Sequence, residues 1–186
     1  MSEKFHRVGW LFLVILFTVT GLGVGVIGFW QYTHQPDSNS QTGTSRAIKC
    51  SSDPNIPEIK PSDSSKLKGT KLSNFRPTSK VDLLKCIDIK VGTGAIVQSN
   101  STLTANYTGA IAATGVIFES SLDSGQPFSI PLTKLIPGWQ TGLLGMKVGG
   151  TRRLLIPSAA AYGSQAAPGI PANSNLVFDI SLINVQ

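Results

Sequence analysis

The chain has little charge and few side chains that bind metals. Charged residues make up 14% of its 186 positions, and there are two cysteines and two histidines. Two cysteines are too few for a four-cysteine metal site, and the spacing of Cys50 and Cys86 matches no zinc or thioredoxin-like pattern. His6 and His34 lie far from both in sequence, so no metal is assigned. No Lys/Arg cluster is interleaved with aromatics, so nucleic acid has no support as a partner. The GxG around Gly21 to Gly25 lacks a strand-turn-helix context and does not read as a nucleotide loop. No cofactor is expected. The length suits one ordinary domain with extensions, not two large domains.

The scarcity of charge has two local causes, a long apolar run and a Gly/Pro/Ala-rich C-terminal half. Val8 to Trp30 holds no charged residue over 23 positions. As a helix it would be about 35 Å long at ~1.5 Å per residue, enough to cross a hydrocarbon core of ~30 Å with some tilt. Trp10 at one end, and Trp30 with Tyr32 at the other, suit the two membrane interfaces. Lys4 and Arg7 precede the run, and no Lys or Arg occurs in residues 31–45, so the positive-inside bias leaves the N-terminus in the cytoplasm. Residues 31–85 then carry nine Lys/Arg against five Asp/Glu, a balance of +4, in a stretch dominated by Gln, Ser, Thr, Asp, Asn, Lys and Pro. The expected organisation is a cytoplasmic N-terminus at 1–7, a transmembrane signal anchor at 8–30, a disordered polar and basic linker at 31–80, and a folded domain at 81–186. The protein would sit in the cell membrane as a single-pass chain with the domain extracytoplasmic. A signal peptide cleaved after export is the alternative. Leu72 to Phe75 is an apolar island within the linker that would dock on the domain edge. Outside the membrane, Cys50 and Cys86 either pair and fold the linker back onto the first strand, or remain free thiols.

From residue 81 the texture changes. Strands are expected over Val81 to Val91, Thr102 to Thr108, Val116 to Glu119, Phe128 to Leu132, Thr151 to Ile156 and Leu176 to Val185. Pro137 to Met146 is the helix candidate, with Pro at its start and Gly149-Gly150 beyond its end. Several short strands, one short helix and one long loop (Pro157 to Asn175) describe an α+β fold, an antiparallel sheet wrapped around a helix.

Nine short motifs then occur in order: Tyr107-Thr-Gly109, Phe118-Glu-Ser-Ser121, Gln126-Pro-Phe128, Ile136-Pro-Gly-Trp139, Gly145-Met-Lys-Val-Gly-Gly150, Leu155-Ile-Pro157, Ala161-Tyr-Gly163, Gly169-Ile-Pro171 and Asn175-Leu-Val-Phe-Asp179. In these the chain resembles the FK506-binding protein family of peptidyl-prolyl cis-trans isomerases, over Tyr107 to Gln186. Pro131-Leu-Thr-Lys-Leu-Ile136 is similar to the bacterial exported branch.

The resemblance implies a sheet half-wrapped around the helix, with an apolar hole between them floored by Trp139. Tyr107, Phe118, Phe128, Leu135, Ile136, Tyr162, Ile170 and Phe178 would line it. Catalytic roles fall on Tyr107, Phe118, Glu119, Trp139, Tyr162 and Phe178, and substrate contacts on Phe128, Leu135, Ile136 and Ile170. The implied partners are unfolded or exported proline-containing polypeptides and the macrolide FK506. Three departures stand out. Glu119 occupies a position where the family often has Asp, Ser124 one where an Arg often pairs that acid, and Gln140 one where an acid often follows the floor Trp. Those at Glu119 and Ser124 motivate an alternative, a non-catalytic chaperone-like or partner-docking module at the membrane surface.

Overall fold

The structure is a computed structural model and describes residues 48–53, 55 and 66–186. The run at 8–30 lies outside the described residues; among those that are described, no helix is long and apolar enough to cross a membrane.

Seven strands form one sheet: β1 (Ser51–Ser52), β2 (Lys85–Lys90), β3 (Thr102–Ile111), β4 (Ile117–Ser120), β5 (Phe128–Pro131), β6 (Thr151–Ile156) and β7 (Leu176–Val185). Their order is β1-β2-β6-β7-β3-β4, and β5 pairs with the first half of β3. The pairings are antiparallel except β1 with β2, which run parallel. That parallel edge departs from the all-antiparallel expectation. The disulfide between Cys50 and Cys86 holds residues 50–53 alongside β2 and resolves the open question of the two thiols.

The helix α1 covers Pro137–Gly142, shorter than the expected Pro137 to Met146. Pro137 starts it because its missing N–H would have had no intrahelical acceptor. Leu143 N–H still bonds Trp139 C=O, but Gly145 has a φ of 76°, and strand-like bonds between Val97 and Gly145–Met146 pull the chain off the helical path. The Arg152 guanidinium secures that end. It donates to the carbonyls of Gly142 at 2.8 Å and Leu144 at 3.3 Å, and also pairs with Asp88 across β2 and β6.

Side chains alternate across β7. Leu176, Phe178, Ile180 and Leu182 face the helix and form the main core with Leu103, Leu154, Ile156, Leu143 and Trp139. Val177 faces the opposite side with Ala110 and Ile117, and a second apolar cluster forms there. Its cover is the segment that composition assigns to the linker. Leu67, Leu72 and Phe75 pack on this face, and Leu72 is only 4% exposed. Residues 69–72 also extend the sheet edge beyond β4: Gly69 N–H bonds Ile117 C=O, Ile117 N–H bonds Thr70 C=O, and Leu72 N–H bonds Gly115 C=O. The expected docking of Leu72 to Phe75 is therefore seen, and the folded unit reaches back beyond residue 81 to residue 66.

Candidate functional site

Five elements each contribute one aromatic ring to a cluster centred on Trp139. Tyr107 comes from β3, Phe118 from β4, Phe128 from β5, Trp139 from α1 and Phe178 from β7. Trp139 meets Phe178, Phe128 and Tyr107 edge to face, with centroids 5.2, 5.6 and 5.8 Å apart. Tyr107 contacts Phe128 at 5.1 Å, and Phe118 contacts Phe178 at 5.7 Å, again edge to face. Such pairs favour each other by about 0.5–1.5 kcal/mol beyond the area they bury. Trp139, Phe118 and Phe178 are buried, while Tyr107 and Phe128 are half-buried and so remain accessible from one side.

The remaining apolar residues of the expected site pack on the same cluster. Leu135 and Ile136 come from the turn before α1, Tyr162 and Ile170 from the connection between β6 and β7. The Ile136 turn is held by a residue that sequence reasoning recorded only as a departure. Gln140 donates its side-chain amide to Leu135 C=O at 2.7 Å. The Ile136 N–H makes no hydrogen bond with any described residue, which leaves a backbone donor free beside the rings.

Glu119 reaches the site through an irregularity that the sequence did not signal. Gly109 pairs with Glu119, but Ala110 pairs with Ile117, so β4 contains one extra residue, Phe118. A bulge of this kind breaks the usual alternation and re-aims a side chain. It turns Glu119 toward the same side as Phe118. The Glu119 side chain is exposed, and its carboxylate lies near the Tyr107 phenol. Burial raises the Tyr107 phenol well above its ordinary pKa, and the neighbouring Glu119 carboxylate raises it further. Burial, then the Glu119 charge, raise Tyr162 as well. Both phenols therefore stay protonated and able to donate.

Sequence reasoning also missed the residues that hold the rings apart and fix their backbone. A Cβ on Gly109 would stand 2.6 Å from Phe118 Cζ and from Phe178 Cε1, so the close approach of these rings to β3 requires glycine. A glycine interrupting a β-rich run was the visible signal. Ser121 Oγ accepts from Tyr107 N–H at 2.9 Å, and Ser120 Oγ donates to Tyr107 C=O at 3.1 Å. Ser124, the position where an Arg is often found, instead donates to Ser121 C=O at 2.8 Å.

A twisted sheet over a short helix, with an aromatic cluster at their junction, defines the class, and comparisons agree. The sequence model of the FKBP-type peptidyl-prolyl cis-trans isomerase family matches residues 94–183. A "FK506-binding protein 4" of Neurospora crassa is 44% identical over 121 residues, covering 62% of this chain and 26% of its own length. The chain spans only 20% to 26% of the first curated relatives that it matches. Among solved structures, FkpA from Escherichia coli is 37% identical with a TM-score of 0.53, over 62% of this chain and 53% of that one. A peptidyl-prolyl cis-trans isomerase from Pseudomonas syringae pv. tomato is 34% identical with a TM-score of 0.52, over 59% of this chain and 80% of that one. This chain belongs to the FKBP-type peptidyl-prolyl cis-trans isomerase family.

Proposed function

We propose that the chain catalyses cis-trans isomerisation of X–Pro bonds in the aromatic cluster around Trp139, and that it serves the folding of exported polypeptides from the outer side of a membrane. The observation that carries the reading is the group of rings on Trp139 with the unpaired Ile136 N–H beside it. The barrier to rotation is about 18–20 kcal/mol because the planar amide is resonance-stabilised. A planar amide is more dipolar than a twisted one. An apolar, water-poor surface therefore favours the twisted state relative to the ground state. Trp139, Phe178, Phe118 and Phe128 supply that surface and hold the proline ring. The Ile136 N–H and the Tyr162 hydroxyl donate to substrate carbonyls and hold the chain on either side of the turning bond. A thousandfold acceleration needs about 4 kcal/mol from these effects together.

The test is the cis-to-trans rate of a proline peptide with catalytic amounts of the full chain in detergent. Acceleration that FK506 abolishes is expected, and its absence sinks the reading. Trp139→Ala should lose the acceleration. If that variant suppresses aggregation of an unfolded client as well as the wild type, while neither accelerates isomerisation, the chaperone-like alternative holds instead. The membrane placement rests on Val8 to Trp30 with Lys4 and Arg7 before it. Protease digestion of the domain in intact cells or spheroplasts tests it; protection of the domain would refute it.

A further inference from the structure

Glu119 stands in one-sided surroundings. The strand bulge aims it at the aromatic site, where its neighbours are the phenols of Tyr107 and Tyr162. Both are neutral donors. The two buried arginines of the fold are committed elsewhere: Arg152 pairs with Asp88, and Arg153 with Asp179. No ion pair found among the described residues includes Glu119. The other acid of this region, Asp123, is also occupied, accepting from the amides of Leu67 at 2.7 Å and Lys68 at 3.0 Å. Glu119 is thus an exposed carboxylate beside the two phenols, in no ion pair found among the described residues.

We infer that Glu119 is a specificity-determining carboxylate that selects substrates carrying Lys or Arg next to the isomerised proline. This rests on the isomerase reading above. A peptide bound over Trp139 brings the residues flanking its proline to the mouth of the site. A basic flanking side chain meets Glu119 as a solvent-exposed ion pair; an acidic one meets like charge. An exposed pair of this kind changes affinity by about two- to fivefold, and like-charge repulsion works in the opposite direction on the acidic peptide.

The experiment compares kcat/KM of the full chain for three peptides that differ only in the residue before proline (Lys, Leu or Glu), and for a matched set varied after it. In at least one set, Lys should exceed Glu by about tenfold at low salt, with the difference in KM rather than kcat. The ratio should collapse toward one in about 1 M salt, where screening acts within ~3 Å. Glu119→Gln should flatten it and Glu119→Asp keep it. A role confined to orienting Tyr107 predicts changes common to all peptides and no salt dependence of the ratio. Turnover without charge discrimination in the wild type, or discrimination that survives in Glu119→Gln, overturns this inference alone. No turnover of any peptide overturns the isomerase reading and this inference with it.

Discussion

Arg153 and Asp179 face each other across β6 and β7, and the guanidinium donates to both carboxylate oxygens, at 2.6 and 2.8 Å, with both side chains buried. The same guanidinium donates to Asn74 C=O at 2.8 Å and Ser73 C=O at 3.2 Å, and lies 5.7 Å from the centroid of the Phe75 ring. One buried ion pair therefore ties the back of the sheet to the segment that covers it. Removing one partner of such a pair leaves an uncompensated buried charge, which costs about 3–5 kcal/mol. Asp179→Ala should lower the unfolding free energy by about that amount in urea titration. A loss below about 1 kcal/mol would show that the pair contributes little beyond satisfying itself.

The covering segment has its own consequence. A chain starting at residue 81 lacks Leu72, which fills the back-face cluster, and removes the carbonyl partners of Arg153. Burial of one leucine is worth about 1.5–3 kcal/mol. A chain from residue 81 should therefore be less stable in urea titration than one from residue 66 by at least that margin, both lacking Cys50 and its disulfide. Equal midpoints would mean that residues 66–80 lie on the sheet without stabilising it.

Gly109 supports the site rather than the back of the sheet. A methyl group at this position would overlap the rings of Phe118 and Phe178. Overpacking of this kind costs about 1–3 kcal/mol. Gly109→Ala should lose stability in that range and, because both rings must shift, alter the near-ultraviolet circular dichroism of the aromatic cluster. Unchanged aromatic signals would show that the rings have room to spare.

The elements legible in the sequence are those whose ends carry chemical markers. Thr151 to Ile156 is bounded by Gly150 and Pro157, and its strand is observed over the same residues. Leu176 to Val185 was equally clear, since its first five residues are buried on both faces and form a nearly continuous apolar run. The aromatic residues could be named because they recur in one family order, yet their meeting at Trp139 is a property of five separated elements. The bulge at Phe118 was not legible, because one extra residue in a strand of four leaves no period to interrupt. Nor was the role of Gln140, whose bond to Leu135 depends on the turn before α1. The pairing of Cys50 with Cys86 stayed open because spacing alone does not bring two thiols together.

The two phenols beside Glu119 give a prediction in pH. Burial is the larger cause of the upward shift in both Tyr107 and Tyr162, with the Glu119 charge behind it. The folded chain therefore holds these protons more tightly than the unfolded chain does. The stabilisation is complete below the unfolded tyrosine pKa of about 10 and is lost as pH rises through the higher folded values. Of the three tyrosines, two should ionise only above pH ~10 when absorbance near 295 nm is followed, and urea midpoints should fall over the same range. Tyr107→Phe and Tyr162→Phe should each remove one late-titrating phenol. Glu119→Gln should bring both titrations down part of the way, since it removes the charge but leaves the burial. Ionisation of all three tyrosines near the ordinary value would mean that water reaches the Tyr107 hydroxyl freely, and that the site lacks the dry surface that isomerisation needs.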